Sequence, residues 1–221
     1  MIVCGYNRGM NPSTSPSILQ LQDLGFAYPD QPALASGWSV AIGEGVTLLY
    51  GDTGTGKSTL LRVMAGALAA TGRLTAVGAR LDLAPDAYRR NVFFCDPTTE
   101  AFDQVTAHAC TATLSEGDAG FDEASWPGLV EGFALTPHLE KPMYMLSTGS
   151  KRKVWLAAAL ASGRPLVLLD EPTGALDARS IHHLWNALAR RAAQPGRAVV
   201  IASSERVTAV PLAGCIELPL R

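Results

Sequence analysis

Gly51-Asp-Thr-Gly-Thr-Gly-Lys57-Ser58-Thr59 decides how the rest of this 221-residue chain is read. It matches G-x-x-x-x-G-K-[ST], a glycine-rich phosphate-binding loop, and its flanks suit that role. Before it runs Val46-Thr-Leu-Leu-Tyr50, apolar and partly β-branched, which predicts a short strand. After it, Leu60 to Leu68 is apolar at helical spacing. Gly51, Gly54 and Gly56 let the backbone curl through Asp52, Thr53 and Thr55, so that successive N–H groups face phosphate oxygens. A helix starting near Lys57 adds its positive dipole end. Lys57 then reaches the β- and γ-phosphates, the Ser58 hydroxyl ligates Mg²⁺, and Thr59 completes the loop. The stretch therefore predicts a site for a nucleoside triphosphate.

The second half supplies matching chemistry. Arg164-Pro-Leu-Val-Leu-Leu169 has the composition of a buried strand and ends in Asp170-Glu171. The carboxyl end of a parallel strand is where an α/β sheet places ligand chemistry. Asp170 suits holding Mg²⁺ through water, and Glu171 suits polarising an attacking water. Upstream, the turn Leu146-Ser147-Thr148-Gly149-Ser150 opens an amphipathic helix over Lys151–Leu160, again an anion-binding geometry.

In this order, the phosphate loop, the Leu146–Ser150 turn and Asp170-Glu-Pro-Thr-Gly-Ala-Leu-Asp177 resemble an ATP-binding-cassette (ABC) ATPase domain. The family's signature turn usually reads Leu-Ser-Gly-Gly-Gln, and Leu146, Ser147 and Gly149 are kept. Asp170 to Asp177 is similar to the family's Walker B motif and D-loop. The resemblance runs from about Ile18 to Leu218. It implies an α/β P-loop NTPase fold: a mostly parallel core sheet, an N-terminal antiparallel β piece and a helical subdomain insert. It also implies ATP with Mg²⁺, and a head-to-tail pair of cassettes in which Ser147 and Gly149 of one contact the γ-phosphate held by Lys57 of the other. A separate transmembrane permease subunit is expected, with the cassette peripheral on the cytoplasmic face. In compact length the chain most resembles the small cassettes of the haem-export, cytochrome-c-maturation type.

The expected organisation is a loose N-terminal arm over residues 1–17, with Met10 an alternative start, and one domain over 18–221. The helical subdomain spans about 97–162. Ile18–Leu24 alternates like a half-buried strand and Gly37–Ile42 follows as another. Tyr28, between them, best matches the aromatic residue that the family stacks on adenine. Residues 74–90 read as loop and strand fragments, and Asn91–Cys95 as a central strand. Ala101 to Met145 holds three weak helical patterns broken by glycine and proline.

Two positions depart from the family. The switch glutamine that bridges Mg²⁺ and the helical subdomain aligns with Asp96, which is shorter and charged but still offers oxygen to the metal. The switch histidine after Ala198–Ala202 aligns with Ser204, which cannot carry a cation to a γ-phosphate. Slowed hydrolysis is expected, with Glu171 intact as the base.

Composition bounds the rest. A 48% hydrophobic content suffices for one α/β domain, and a net charge of −2 lacks the basic surplus that nucleic acid requires. No stretch approaches the ~20 apolar residues of a membrane span. Lys151-Arg152-Lys153 reads equally as a solvated turn or as a partner-facing patch. Cys4, Cys95, Cys110 and Cys215 show neither metal nor disulfide spacing, Cys95 and Cys215 reading as small core residues. No secretory signal is read, so a reducing cytoplasmic setting is expected. His108 and His138 stand singly, and His182-His183 would face different sides of one helix, a poor metal pair. The main expectation is the ATPase subunit of a transporter, whose membrane partner selects the cargo. A nucleotide-sensing regulatory subunit with slow turnover, or a non-transport ABC ATPase, are the alternatives.

Overall fold

The computed structural model describes residues 17–220. The proposed arm over residues 1–17, with Cys4 and Met10, falls outside them except for Ser17. Val46–Tyr50 lies within a strand, β3 (Gly45–Tyr50), in a five-stranded all-parallel sheet. Its partners are β6 (Val92–Phe94), β7 (Leu166–Asp170), β8 (Ala198–Ser203) and β9 (Leu212–Glu217), in the order β6-β7-β8-β3-β9. The register sets Tyr50 opposite Ser203 and Asp170 opposite Ala202, so the polar ends of three strands finish side by side. Every residue of β8 is buried, as expected for a strand covered on both faces.

Alternate residues of these strands feed two cores. Phe93, Val167, Leu169, Val199 and Ile201 pack towards α5 (Thr148–Ala161), α6 (Ala178–Ala192) and the smaller helices α3 (Ala107–Ser115) and α4 (Trp126–Gly132). Leu166, Leu168, Val200 and Ala202 pack on the other side with Leu60, Leu61, Val63 and Met64 of α1 (Lys57–Met64). That second core is closed by an antiparallel sheet, β2-β1-β4-β5, whose strands are β1 (Leu19–Phe26), β2 (Ala35–Ile42), β4 (Thr71–Ala76) and β5 (Ala79–Arg80). Truncating a fully buried leucine such as Leu61 to alanine would cost about 2–5 kcal/mol.

Several expectations need correction. Residues 74–90 are not mere fragments: they hold the ends of the antiparallel sheet and a helix, α2 (Pro85–Arg90), opened by Pro85. Strand β6 lies at the sheet edge, not its centre. It is apolar because helices cover both faces, which a sequence pattern cannot distinguish from a central position. The span 101–145 forms two α-helices and two 3₁₀ turns, Thr136–His138 and Met143–Met145, instead of three helices. Helix α1 stops at Met64, where Gly66 turns left-handed at φ +69°. Cys95 and Cys215 are half-buried, and Cys110 is the enclosed thiol, pushed up to about 11 by burial. Among the described residues no helix is long and apolar enough to cross a membrane.

Candidate nucleotide site

The loop after β3 is shaped by its glycines. Gly54 and Gly56 sit at φ +83° and +95°, where a side chain would be strained, and Gly56 caps the start of α1. A Cβ on Gly56 would also run into Leu34. Thr55 closes the loop by donating its hydroxyl to the Asp52 carbonyl at 2.7 Å. Lys57 is 6% exposed, and its ammonium donates to the carbonyls of Gly51 at 2.7 Å and Asp52 at 3.0 Å. It also lies 3.4 Å from Glu171 Oε1. A buried cation held on exchangeable carbonyls can pass to phosphate oxygens without leaving a charge unpaired.

The Ser58 hydroxyl stands beside the Asp170 carboxylate and favours its charged form. Burial pushes the Asp170 carboxyl above its ordinary range, and the charges of Glu171 and Asp96 add to this, while Ser58 and Lys57 oppose it. Its Oδ1 is buried without a hydrogen-bond partner. An orphaned carboxylate oxygen beside a serine hydroxyl is a hard oxygen donor set, so these residues fit Mg²⁺.

Glu171 follows at φ +42°, a left-handed backbone that costs a non-glycine residue of order 1–3 kcal/mol. Its carboxylate accepts from the Ser204 backbone N–H at 2.8 Å, which joins the end of β8 to the end of β7. A cavity of about 490 Å³ opens beside it, lined in part by Ser203, Ser204, Thr208 and Trp185. Tyr28 stands at the start of α1, its hydroxyl 3.2 Å from Thr59 Oγ1 and its ring edge-on to Phe26 at 5.0 Å. Tyr28 as a whole is 39% exposed.

Asp96 is placed less simply. Its Oδ2 accepts from Arg62 Nε at 2.7 Å, and its Oδ1 from the Thr98 N–H and hydroxyl at 2.9 and 2.7 Å. Burial works to raise its carboxyl, but these bonds outweigh it and hold Asp96 below the usual range. Both oxygens are engaged, so the metal-ligand expectation for Asp96 requires exchange with Arg62. The sequence reading did not single out Arg62, whose only signal was its place five residues after Lys57 on the same helix.

The signature turn lies apart from its own phosphate loop: among the described residues no hydrogen bond or ion pair joins Ser147–Ser150 to Gly51–Thr59. Leu146 is buried in the core under the helices, while Ser147 and Thr148 are exposed. Ser147 caps α5, accepting from Ser150 N at 3.1 Å, so the helix begins inside the turn rather than at Lys151. Asp177 caps α6 in the same way through Ser180 N at 2.9 Å and receives Lys153 Nζ at 2.6 Å. The Lys153 and Ser180 bonds hold its carboxyl well below the usual carboxylate range. Lys151–Lys153 are partly buried and each has a partner within the chain, so they are not a solvated turn. Lys151 pairs with Asp103, Arg152 donates to the carbonyls of Glu171 and Gly174, and Lys153 pairs with Asp177. The alternation of one acidic partner per lysine lay in distant sequence and gave no local signal. His182 bonds Asn186 and His183 meets the Phe133 ring, so the two face different partners.

The sequence model of the family described as "ABC transporter" matches residues 36–174. A cytochrome c biogenesis ATP-binding export protein, CcmA, from Rhodospirillum rubrum is 36% identical over 188 residues, covering 84% of this chain and 80% of that one. The nickel import ATP-binding protein NikO from Rhodobacter capsulatus is 33% identical, covering 84% and 79%. Among solved structures, an ATP-binding subunit of an ABC transporter superposes with a TM-score of 0.71 at 25% identity, covering 85% of this chain and 79% of that one. A Pyrococcus furiosus ATP-binding protein shares the fold at 0.71 and 21% identity, over 90% and 96% of the two chains. With the parallel sheet, the phosphate loop and the strand-end carboxylates already in place, these matches make the chain a member of the ABC transporter family, in its class of ATP-binding subunits.

Proposed function

We propose that this chain binds MgATP on Gly51–Thr59, with Tyr28 against the adenine, and that its hydrolysis drives transport through a separate membrane subunit. The observation that carries this reading is the Lys57 ammonium, parked on two loop carbonyls and 3.4 Å from Glu171, beside the partnerless Asp170 Oδ1. Ser58 and Asp170 would hold Mg²⁺, which would supply positive charge to the phosphates. Lys57 exchanges its carbonyls for the β- and γ-phosphate oxygens, and Glu171 takes the proton of the attacking water. Ser204 N keeps that carboxylate aimed into the site.

The domain runs over 18–221. Its helical part, about 97–162, meets the membrane subunit on the cytoplasmic side. Two cassettes close head-to-tail, with the exposed Ser147–Ser150 turn of one on the nucleotide of the other and Asp177 at the seam. The relatives include an export protein and an import protein, and here the direction and the cargo follow the membrane subunit. Turnover is slow, because both Asp96 oxygens are engaged and Ser204 brings no cation; this keeps a nucleotide-sensing subunit as the second reading.

The test combines nucleotide binding, hydrolysis and capture from native membranes. Lys57→Ala should lose ATP binding, and Glu171→Gln should keep binding while hydrolysis falls to a small residual rate and the closed pair accumulates. A membrane subunit should copurify with the parent chain. Unchanged ATP affinity in Lys57→Ala refutes the site, and a parent rate in Glu171→Gln refutes the base. A chain recovered from membranes with no integral protein refutes the transport role.

A further inference from the structure

The Glu171 carboxylate is aimed by bonds to its own backbone as much as by bonds to its oxygens. Glu171 N–H donates to the Ala202 carbonyl at 2.9 Å, and its carbonyl accepts from Gly174 N–H at 3.0 Å. The same carbonyl accepts from Arg152 Nη1 at 3.0 Å, and that nitrogen also donates to the Gly174 carbonyl at 2.6 Å. Arg152 stands in α5, one turn beyond the Ser147 cap, and its guanidinium is spent on carbonyl oxygens. The contact with the loop is tight. A Cβ on Gly174 would collide with Arg152 Nη1, and a Cβ on Gly149 would collide with the Ala175 carbonyl oxygen. The clamped loop carries two non-glycine left-handed residues, Glu171 at +42° and Ala175 at +58°. A loop in that conformation persists only when its neighbours over-determine it.

We propose that Arg152 is a positioning residue for hydrolysis, drawing the Glu171 and Gly174 carbonyls onto one guanidinium nitrogen and so fixing the direction of the Glu171 carboxylate. This rests on Glu171 acting as the base. The helix that begins in the signature turn then sets the aim of the base in the same chain. A shift of α5 on closure against a second cassette is transmitted to Glu171 through one side chain, with Gly149 packed on the same loop.

The experiment uses the full chain, with single-turnover ATP hydrolysis and the affinity of a fluorescent ATP analogue measured side by side. Arg152→Ala should leave the affinity within about twofold while hydrolysis falls ~10- to 100-fold, since a displacement near 1 Å costs up to about 10²-fold. Gly174→Ala attacks the same contact from the other side by pushing Nη1 away. It should reproduce the loss and add nothing to Arg152→Ala. In the Glu171→Gln background, Arg152→Ala should cost less than about twofold more, because the group it aims is already removed. A parent rate in either Arg152→Ala or Gly174→Ala overturns the proposal, as does a loss of full size in the Glu171→Gln background or one confined to affinity. If Glu171→Gln hydrolyses at the parent rate, the base assignment fails first and the proposal falls with it. Failure of Arg152→Ala to fold leaves Gly174→Ala, alone and with Glu171→Gln, to decide.

Discussion

Ser204→His asks whether the loop after β8 occupies the position of the family's γ-phosphate contact. The backbone there is already in place, with Ser204 N 2.8 Å from Glu171 Oε1. The side chain is half-buried beside the cavity of about 490 Å³, so an imidazole enters without displacing a neighbour. A hydrogen bond to a charged group contributes about 1.5–3 kcal/mol net. Immobilising one side chain costs about 0.5–1.5 kcal/mol. The remainder, ~1.4 kcal/mol, corresponds to about tenfold in rate if it acts in the transition state. The assay is kcat at saturating MgATP near pH 7, with Glu171→Gln as the baseline. A rise of up to about tenfold with little change in KM is expected. An unchanged or lower kcat would mean that Ser204 belongs to a differently organised site and that the alignment of this loop is wrong.

Two further outcomes follow from the same geometry. Tyr28→Ala should weaken nucleotide affinity by about 1 kcal/mol, roughly fivefold, through loss of ring stacking; titration with ATP and GTP should give equal losses, and unchanged affinity for both would remove Tyr28 from the site. The depressed Asp177 carboxyl contributes stability that is present above its ordinary value near 4 and lost as pH falls below it. Thermal melts between about pH 6 and pH 3 should therefore show the parent losing stability more steeply than Asp177→Asn, and parallel curves would mean that the Lys153 and Ser180 bonds contribute nothing to folding.

The parallel sheet was legible because its strands carry their own signals. Val46–Tyr50, Leu166–Leu169 and Ala198–Ala202 are apolar runs ending in chemistry, and a glycine loop needs a strand before it and a helix after it. Gly51–Thr59, Asp170 and Glu171 are contiguous pieces and could be found one by one. What sequence hid were partners supplied from afar. Asp96 looked like a metal oxygen because Arg62, which occupies it, lies 34 residues earlier. Lys151, Arg152 and Lys153 looked like one basic patch because their acceptors, Asp103, the Glu171 loop and Asp177, are brought up only by packing. The edge position of β6 was hidden for a related reason: burial by helices leaves the same apolar letters as burial between strands.

The strand order has a consequence for how the molecule is made. Strand β3 pairs with β8 across about 150 residues, Gly45 against Ala198, whereas β1 meets β2 and β4 within a few tens of residues. Closing the long loop costs little more at equilibrium, since loop entropy grows only with the logarithm of length, but it is kinetically late. During synthesis the antiparallel sheet has its partners while the chain is still short. Strand β3 and the phosphate loop wait with open edges until Ala198–Ser203 and Leu212–Glu217 arrive. Nucleotide cannot find a complete pocket on a nascent cassette early, because Asp170 and Glu171 are translated about 110 residues after the phosphate loop.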